Sequence, residues 1–475
     1  MMLSLNDILF ALTGFNCKNT SLTITEAAID SRKVIPGTLF IALNGEHVDG
    51  HNFIDEAFDN GALLAIIEKD IKTNHKIIDL SKKPIDGDEI KIPKPPFCLK
   101  VNNSLKALQT IAHYWRGKLN IRVIAITGSV GKSSTKELTA EVLSQKYHTH
   151  KNPGNYNNEI GLPLTILSLG EGYERLVLEM GFYYPGEITF LCNIALPQVG
   201  ILTNIGTVHA ERAGSQEIIA LGKSELVQAL PPYPDGTAIL NYDDPFIRSM
   251  AVKTKARVIY YGLSPEADLW ADEIKGHGLQ GIQFVLHYKE NRIQLHVPLL
   301  GRHSVQTVLR AVATGLIEGL SWEEIKQGLN QSHTQLRLVA VKTKSGALIL
   351  DDTYNATPES TIADLDLLQE LKGQKIAVLG DMLELGKYEL QGHQLVGARA
   401  AEVVQHLIAV GPRSKTIAET AKESGLSPTA ITWVEDASDA TELLRYNLKE
   451  GDIVLIKGSH GLHMGCISAA LEEIA

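Results

Sequence analysis

Between Ser104 and Leu119 the apolar residues Leu105, Leu108, Ile111, Ala112 and Trp115 recur at spacings of three and four. That spacing lines one face of a helix. The helix leads into Val123-Ile124-Ala125-Ile126, an unbroken apolar run of the kind that parallel strands bury on both faces. Further apolar runs occupy 347–350, 375–379, 406–410, 431–434 and 453–456, with gaps long enough for helices such as 361–371 and 437–448. Strand, helix and strand at this spacing predict a doubly wound parallel sheet. The segment 122–240 follows the same pattern. Residues 282–288 and 292–297 differ from it and read as an antiparallel pair.

Two breaks divide these patterns. Residues 82–98 are rich in proline and charge and read as an exposed loop near the end of a first domain. A polar stretch at 330–335 marks a second break. With 475 residues the chain is long enough for about three domains. Hydrophobic residues at 44% and charged residues at 21% exclude a disordered or fibrous chain.

Forty-five basic against 55 acidic residues leave a net charge of −10, which argues against nucleic acid or an anionic membrane as a partner through a global positive field. One basic pocket for a phosphate ligand remains compatible with that charge. Cys17, Cys98, Cys192 and Cys466 lie far apart and form no C-x-x-C pair, so reduced thiols are expected rather than a zinc site or a disulfide framework. Residues 1–17 lack a basic start and carry Asp7 within the apolar stretch, unlike a signal peptide, and no apolar run reaches 18 residues. A cytoplasmic protein is the expectation.

The chemical signal is Thr127-Gly128-Ser129-Val130-Gly131-Lys132-Ser133-Ser134, set between the buried run at 123–126 and a helical segment carrying Leu138, Val142 and Leu143. This is the context of a P-loop. The glycines let backbone N–H groups turn towards a phosphate, and the helix N-terminus adds partial positive charge. Lys132 is expected to reach the β- and γ-phosphates and the Ser133 hydroxyl to bind Mg²⁺. Ile126 stands where the longer motif has its first glycine, so the match is to the TGxxGKS form. By contrast, Gly276-His277-Gly278-Leu279-Gln280-Gly281 has the letters of a dinucleotide fingerprint, but a strand-like segment follows it and it reads as a turn.

Three further positions are ambiguous on residue type alone. Glu179 ends the run Leu176-Val177-Leu178, where a carboxylate either serves Mg²⁺ or is simply solvated. His209 follows the run 199–203, and a lone histidine is usually structural or exposed. Lys223 lies on a helical segment, where a solvated surface lysine is the default.

Together with this loop, Asn155-Tyr156-Asn157-Asn158-Glu159-Ile160-Gly161-Leu162-Pro163, Glu179-Met180-Gly181 and Pro185-Gly186-Glu187-Ile188 resemble the Mur ligases, the ATP-dependent amide-bond ligases of peptidoglycan precursor synthesis. Asp351-Asp352-Thr353-Tyr354-Asn355-Ala356-Thr357-Pro358, the segment Leu379–Gly386 and Lys457-Gly458-Ser459 continue the likeness, as do Asp30-Ser31-Arg32 and Gly37–Leu43. The resemblance runs in order along nearly the whole chain.

What it implies is an α/β enzyme of three domains. A small N-terminal α/β domain over 1–100 would bind the UDP-sugar end of the substrate. A central P-loop-type parallel sheet over 101–333 would bind ATP, and a Rossmann-like doubly wound domain over 334–475 would help close over both. The implied activity joins D-alanyl-D-alanine to a UDP-N-acetylmuramoyl-tripeptide through an acyl phosphate, in a cytoplasmic monomer using ATP and Mg²⁺.

By the same resemblance, Gly128, Ser129, Val130, Gly131, Lys132, Ser133 and Ser134 would hold the ATP phosphates, with Arg337 steadying the γ-phosphate. Asp352 would accept from the ribose, with Asn355 in the same loop. Ser133 and Glu179 would hold one Mg²⁺, and His209 with Lys223, as a carbamate, a second. Asn157 and Asn158 match polar residues near the reacting phosphate, and Ser31, Arg32, Asn157 and Lys457 are the implied substrate contacts. Two departures stand out: Gly301-Arg302-His303-Ser304 has serine where the family usually has asparagine for the adenine, and His460 follows Ser459 where arginine is usual. Neither position is assigned as a ligand. The rival readings are a sister Mur ligase or folylpolyglutamate synthase-like ligase that adds one amino acid, and a P-loop switch that hydrolyses ATP without forming a bond.

Overall fold

The structure is a computed structural model describing residues 3–16, 22–45, 47–82, 91–331 and 338–473. Cys17 and Arg337 lie outside the described residues, as do 83–90 of the expected 82–98 loop and 332–335 of the second break. Packing groups the chain into two compact units. One comprises residues 1–125, 147–181 and 187–199, and the other residues 126–146, 182–186 and 200–475.

The first unit opens with a five-stranded sheet of β1 (Ala27–Ala28), β2 (Leu39–Ile41), β3 (Leu64–Ile67), β4 (Lys76–Asp79) and β5 (Phe97–Lys100). Its strand order is β1-β2-β3-β5-β4 and every pairing is parallel. Strands β2 and β3 are wholly apolar and buried, as two-sided burial requires. Phe97 and Cys98, expected in the exposed loop, are instead buried in β5. Proline can directly precede a strand because its missing N–H is not needed there.

The predicted helix is Ser104–Lys118, capped by the Asn103 side chain and buried through Ala107, Leu108, Ile111, Ala112 and Trp115. Leu105 is only half-buried, and Ala107 takes its place on the inward face. Then come β6 (Arg122–Thr127), β7 (Thr149–Lys151), β8 (Arg175–Glu179) and β9 (Val199–Leu202). Of these, β6, β8 and β7 lie side by side in that order.

The second unit begins in the last residues of β6 and carries the helix Lys132–Ser144, with Leu138, Val142 and Leu143 buried as predicted. From β9 its sheet continues through β10 (Thr237–Asn241), β11 (Arg257–Gly262), β12 (Leu269–Gly276), β13 (Ile282–Tyr288) and β14 (Asn291–Val297) in chain order. The last two form the expected antiparallel pair, from Ile282 opposite Val297 to Tyr288 opposite Asn291. Gly276–Gly281 is the turn between β12 and β13, with one short 3-10 segment at Gly278–Gln280.

A six-stranded sheet follows: β15 (Val339–Lys342), β16 (Leu348–Asp352), β17 (Gln374–Gly380), β18 (His406–Val410), β19 (Ile431–Val434) and β20 (Asp452–Lys457). Its order is β15-β16-β20-β17-β18-β19, parallel except for the edge strand β15. All five apolar runs of the sequence became strands here. The sheet buries one apolar layer on each face, with Leu350, Leu379 and Leu455 on one side and Ile349, Val378 and Ile456 on the other. Because β20 lies between β16 and β17, Lys457 is in register with Asp352 on one side and Leu379 on the other. Those strand ends are where open α/β sheets place ligands.

No helix among the described residues is long and apolar enough to cross a membrane. Cys98, Cys192 and Cys466 are free thiols, and burial pushes the Cys98 thiol up to about 12.

Candidate active site

The glycine loop leaves β6 at Thr127 and enters its helix at Lys132. Gly128 has φ +149°, and a Cβ there would stand 1.8 Å from Thr203 Oγ1, so only glycine fits. Gly131 caps the helix in the left-handed region at φ +82°. The segment after β9 pins the loop: Ser129 N–H donates to the Asn204 carbonyl at 2.9 Å, and Val130 N–H to Asn204 Oδ1 at 2.8 Å. In return, Gly206 N–H donates to Ser129 Oγ at 2.8 Å. Lys132 Nζ lies over its own loop, 2.9 Å from the Gly128 carbonyl and 3.1 Å from that of Ser129.

This loop opens on a cavity of about 580 Å³. Ser129, Val130, Gly131, Ser133 and Ser134 line one part of it, and Asp352 and Asn355 line another. Residues more than 200 positions apart in sequence thus face one space. Leu279, Pro298, Leu299 and Leu300 add apolar wall, while His303 and Ser304 also border it. Ser304 Oγ donates to the Leu300 carbonyl at 2.6 Å, so this hydroxyl is engaged within its own helix start.

The sequence reading missed Arg310. It is buried on the helix Ser304–Ile317, bonds to Tyr261 Oη and Thr307 Oγ1, and its guanidinium stands 3.2 Å from where a Gly131 Cβ would be. Its signal was an arginine inside the apolar stretch Val308–Ala313.

Lys223 is not the solvated lysine of the default reading. It is buried on the helix Gln216–Ala229, and its Nζ donates to the Gly128 carbonyl at 2.9 Å and lies 4.9 Å from the Phe182 ring centre. His209 stands at the start of the short helix Ala210–Ala213, with Nδ1 2.6 Å from Glu384 Oε2. Burial pushes the His209 pKa down; the bond to Glu384 opposes this, and the Lys132 and Lys223 charges add to the fall. The same bond holds the Glu384 carboxyl below the usual range.

Asp352 ends β16 and pairs with the wholly buried Lys457, which also lies 2.8 Å from Asp364. The expected substrate contact at Lys457 thus meets two carboxylates inside the protein. Asn355 Oδ1 accepts from the N–H of Ala356 at 2.9 Å. His460 is exposed and faces Tyr354 at 6.2 Å between ring centres.

In the first unit, Glu179 is buried at the end of β8 rather than solvated. Asn157 Nδ2 donates to its Oε1 at 2.8 Å, and Asn152 brackets its backbone. Asn158 is exposed and uses Oδ1 to accept from Gly161 N–H at 2.9 Å, where the helix Gly161–Leu167 begins. Ser31 is buried with Oγ 3.1 Å from Glu56 Oε2. Arg32 is exposed, and its two bonds to Asp30 hold that carboxyl down to about 2.

Among the described residues no three His, Cys, Asp or Glu side chains converge as a metal cage.

A pinned glycine loop at a helix N-terminus, opening on a cavity with apolar walls, is how α/β proteins hold a nucleoside triphosphate; the chain is of that nucleotide-binding class. Family models place it more narrowly. The Mur ligase family catalytic domain matches residues 23–116, the Mur ligase middle domain 126–315 and the Mur ligase glutamate ligase domain 336–460. The UDP-N-acetylmuramoyl-tripeptide–D-alanyl-D-alanine ligase of Bacillus subtilis is 34% identical, covering 92% of this chain and 91% of the relative. Among solved structures, MurF from Acinetobacter baumannii matches with a TM-score of 0.84 and 30% identity over 99% of both chains. MurF ligase from Thermotoga maritima in complex with ADP matches at 0.79 and 28%, over 96% of this chain and 99% of that one. The chain belongs to the Mur ligase family.

Proposed function

We propose that the chain is an ATP-dependent carbon–nitrogen ligase that joins D-alanyl-D-alanine to UDP-N-acetylmuramoyl-tripeptide and releases ADP and phosphate. The product is the pentapeptide precursor of peptidoglycan. What carries this reading is likeness along the whole chain to a ligase of that name, together with a glycine loop that opens on the cavity also lined by Asp352.

The chemistry follows from the electrophile required. A peptide carboxylate resists attack by an amine until it takes the γ-phosphoryl group and becomes an acyl phosphate. The dipeptide amine then attacks the acyl carbon, and phosphate leaves the tetrahedral intermediate. No nucleophilic side chain is needed. Lys132 and the loop N–H groups act by offsetting charge as one anion approaches another. Asp352 serves the ribose and Asn355 its loop, while Ser31, Arg32 and Asn157 serve the other substrate.

Mg²⁺ would supply further charge neutralisation at the phosphates. Ser133 and Glu179 as oxygen donors, and His209 with Lys223 as a carbamate, are the groups we assign to it. Residues 1–100, 101–333 and 334–475 would divide the work among UDP-sugar binding, ATP binding and closure. The setting is the cytoplasm, where ATP is available.

The test is purified protein with ATP, UDP-muramoyl tripeptide and a panel of amino acids and dipeptides, read by mass spectrometry. A pentapeptide product formed with D-alanyl-D-alanine supports the reading. Addition of one amino acid, or ATP hydrolysis independent of acceptor and dipeptide, overturns it.

A further inference from the structure

His209 and Glu384 are 175 positions apart and both adopt left-handed backbone, with φ of +66° and +64°. Such a conformation is uncommon outside glycine and persists where surrounding contacts enforce it. Here they enforce each other. Glu211 N–H donates to the Glu384 carbonyl at 3.2 Å. Gly386 lies so close that a Cβ on it would stand 2.8 Å from Glu211 Cα. Two chain segments are thereby clamped at the backbone beside the imidazole.

The side chains complete the clamp. His209 Nδ1 is 2.6 Å from Glu384 Oε2, and the Tyr183 ring meets the imidazole edge-on at 4.8 Å between centres. Arg212 covers Tyr183 at 4.6 Å and reaches Glu384 Oε1 at 3.8 Å. An ionised carboxylate can only accept a hydrogen bond. At 2.6 Å from a carboxylate oxygen, Nδ1 is the ring nitrogen placed to donate, which leaves Nε2 as the acceptor. A carboxylate behind a functional histidine fixes both its tautomer and its ring orientation.

We propose that Glu384 is a positioning residue for the ligase reaction, holding His209 in the Nδ1–H form so that Nε2 is presented as an acceptor. Glu384 lies in the stretch matched by the glutamate ligase domain, and His209 in that matched by the middle domain. One part of the chain thus finishes a side chain of another. This rests on the reading of His209 as a site residue.

The test uses the full chain. Nitrogen-15 histidine spectra, recorded without nucleotide or metal, are expected to show His209 as the Nδ1–H tautomer, and Glu384→Ala to shift it towards Nε2–H. Turnover in Glu384→Ala should fall by about 10–100-fold, mostly in kcat rather than in KM for ATP, and Glu384→Gln should recover part of it. A wild-type spectrum showing Nε2–H overturns the proposal, even if Glu384→Ala fails to fold. Unchanged turnover in Glu384→Ala, with His209→Ala inactive, overturns the proposal alone. Full activity in His209→Ala removes the reading of His209 and the proposal with it.

Discussion

Lys132 and Lys223 rest their ammonium groups on one acceptor, the Gly128 carbonyl oxygen, at 2.9 Å from each Nζ. Two like charges held this close disfavour one another. Conversion of the Lys223 amine to a carbamate would reverse one charge and supply the oxygen ligands that Mg²⁺ prefers. Lys223→Ala is therefore expected to lose ligase turnover by about 10²–10³-fold, with acetate or formate restoring part of it. Full turnover in that variant, under CO₂ depletion and without added carboxylate, would refute the assignment.

Lys132 makes a separate prediction, since its side chain lies on the loop surface rather than in the core. Lys132→Ala should leave circular dichroism and melting unchanged while turnover falls by about 10²–10³-fold. Near wild-type turnover in a normally folded variant would remove the phosphate-binding role of the loop.

Gly222 precedes Lys223 inside the helix Gln216–Ala229, where a glycine costs helix stability, and the packing around it supplies a reason. A Cβ at Gly222 would stand 2.0 Å from Phe182 Cε2 and 2.6 Å from Cζ. The Phe182 ring is buried and also packs against the Lys223 ammonium. Gly222→Ala gains about 1 kcal/mol in helix propensity, but overpacking costs about 1–3 kcal/mol. A lower Tm and reduced turnover are expected, with Phe182→Leu in the same chain recovering stability non-additively. A Gly222→Ala protein as stable and active as the parent would show that the ring moves aside freely.

What the sequence made legible was local. The helix Ser104–Lys118, the strand after it and the glycine loop each carry their signal within a few residues. Phe97 and Cys98 were misread because Pro95 and Pro96 extended a loop-like composition up to the first residue of a buried strand. Lys223 was legible after all, since Ile219, Lys223 and Leu226 share the four-then-three spacing of a buried helix face. The residue type argued for solvent and the position argued for the core. The pairs His209–Glu384 and Lys457–Asp364 had no such local trace, because only the fold brings their segments together.

The last of these pairs makes a pH prediction. Lys457 is buried between Asp352 and Asp364. Burial works against its charge, but the two carboxylates outweigh it and raise its pKa, so the ammonium persists. One positive charge cannot fully offset two negative ones in a dry site. Burial first, with the nearby Asp352 carboxylate adding to it against the pull of Lys457, pushes Asp364 from 3.8 up to about 7. The folded chain therefore holds this proton more tightly than the unfolded chain does. The contribution to stability is fully present below pH 3.8 and is lost as pH rises through about 7. Asp364→Asn keeps the shape and removes the titration. Relative to the wild type, its Tm should accordingly rise as the pH is taken from about 4 to about 8. Calorimetric melting of both proteins across that range decides the matter. A Tm difference that stays constant, or that moves in favour of the wild type with rising pH, would show that Asp364 is already ionised in the fold.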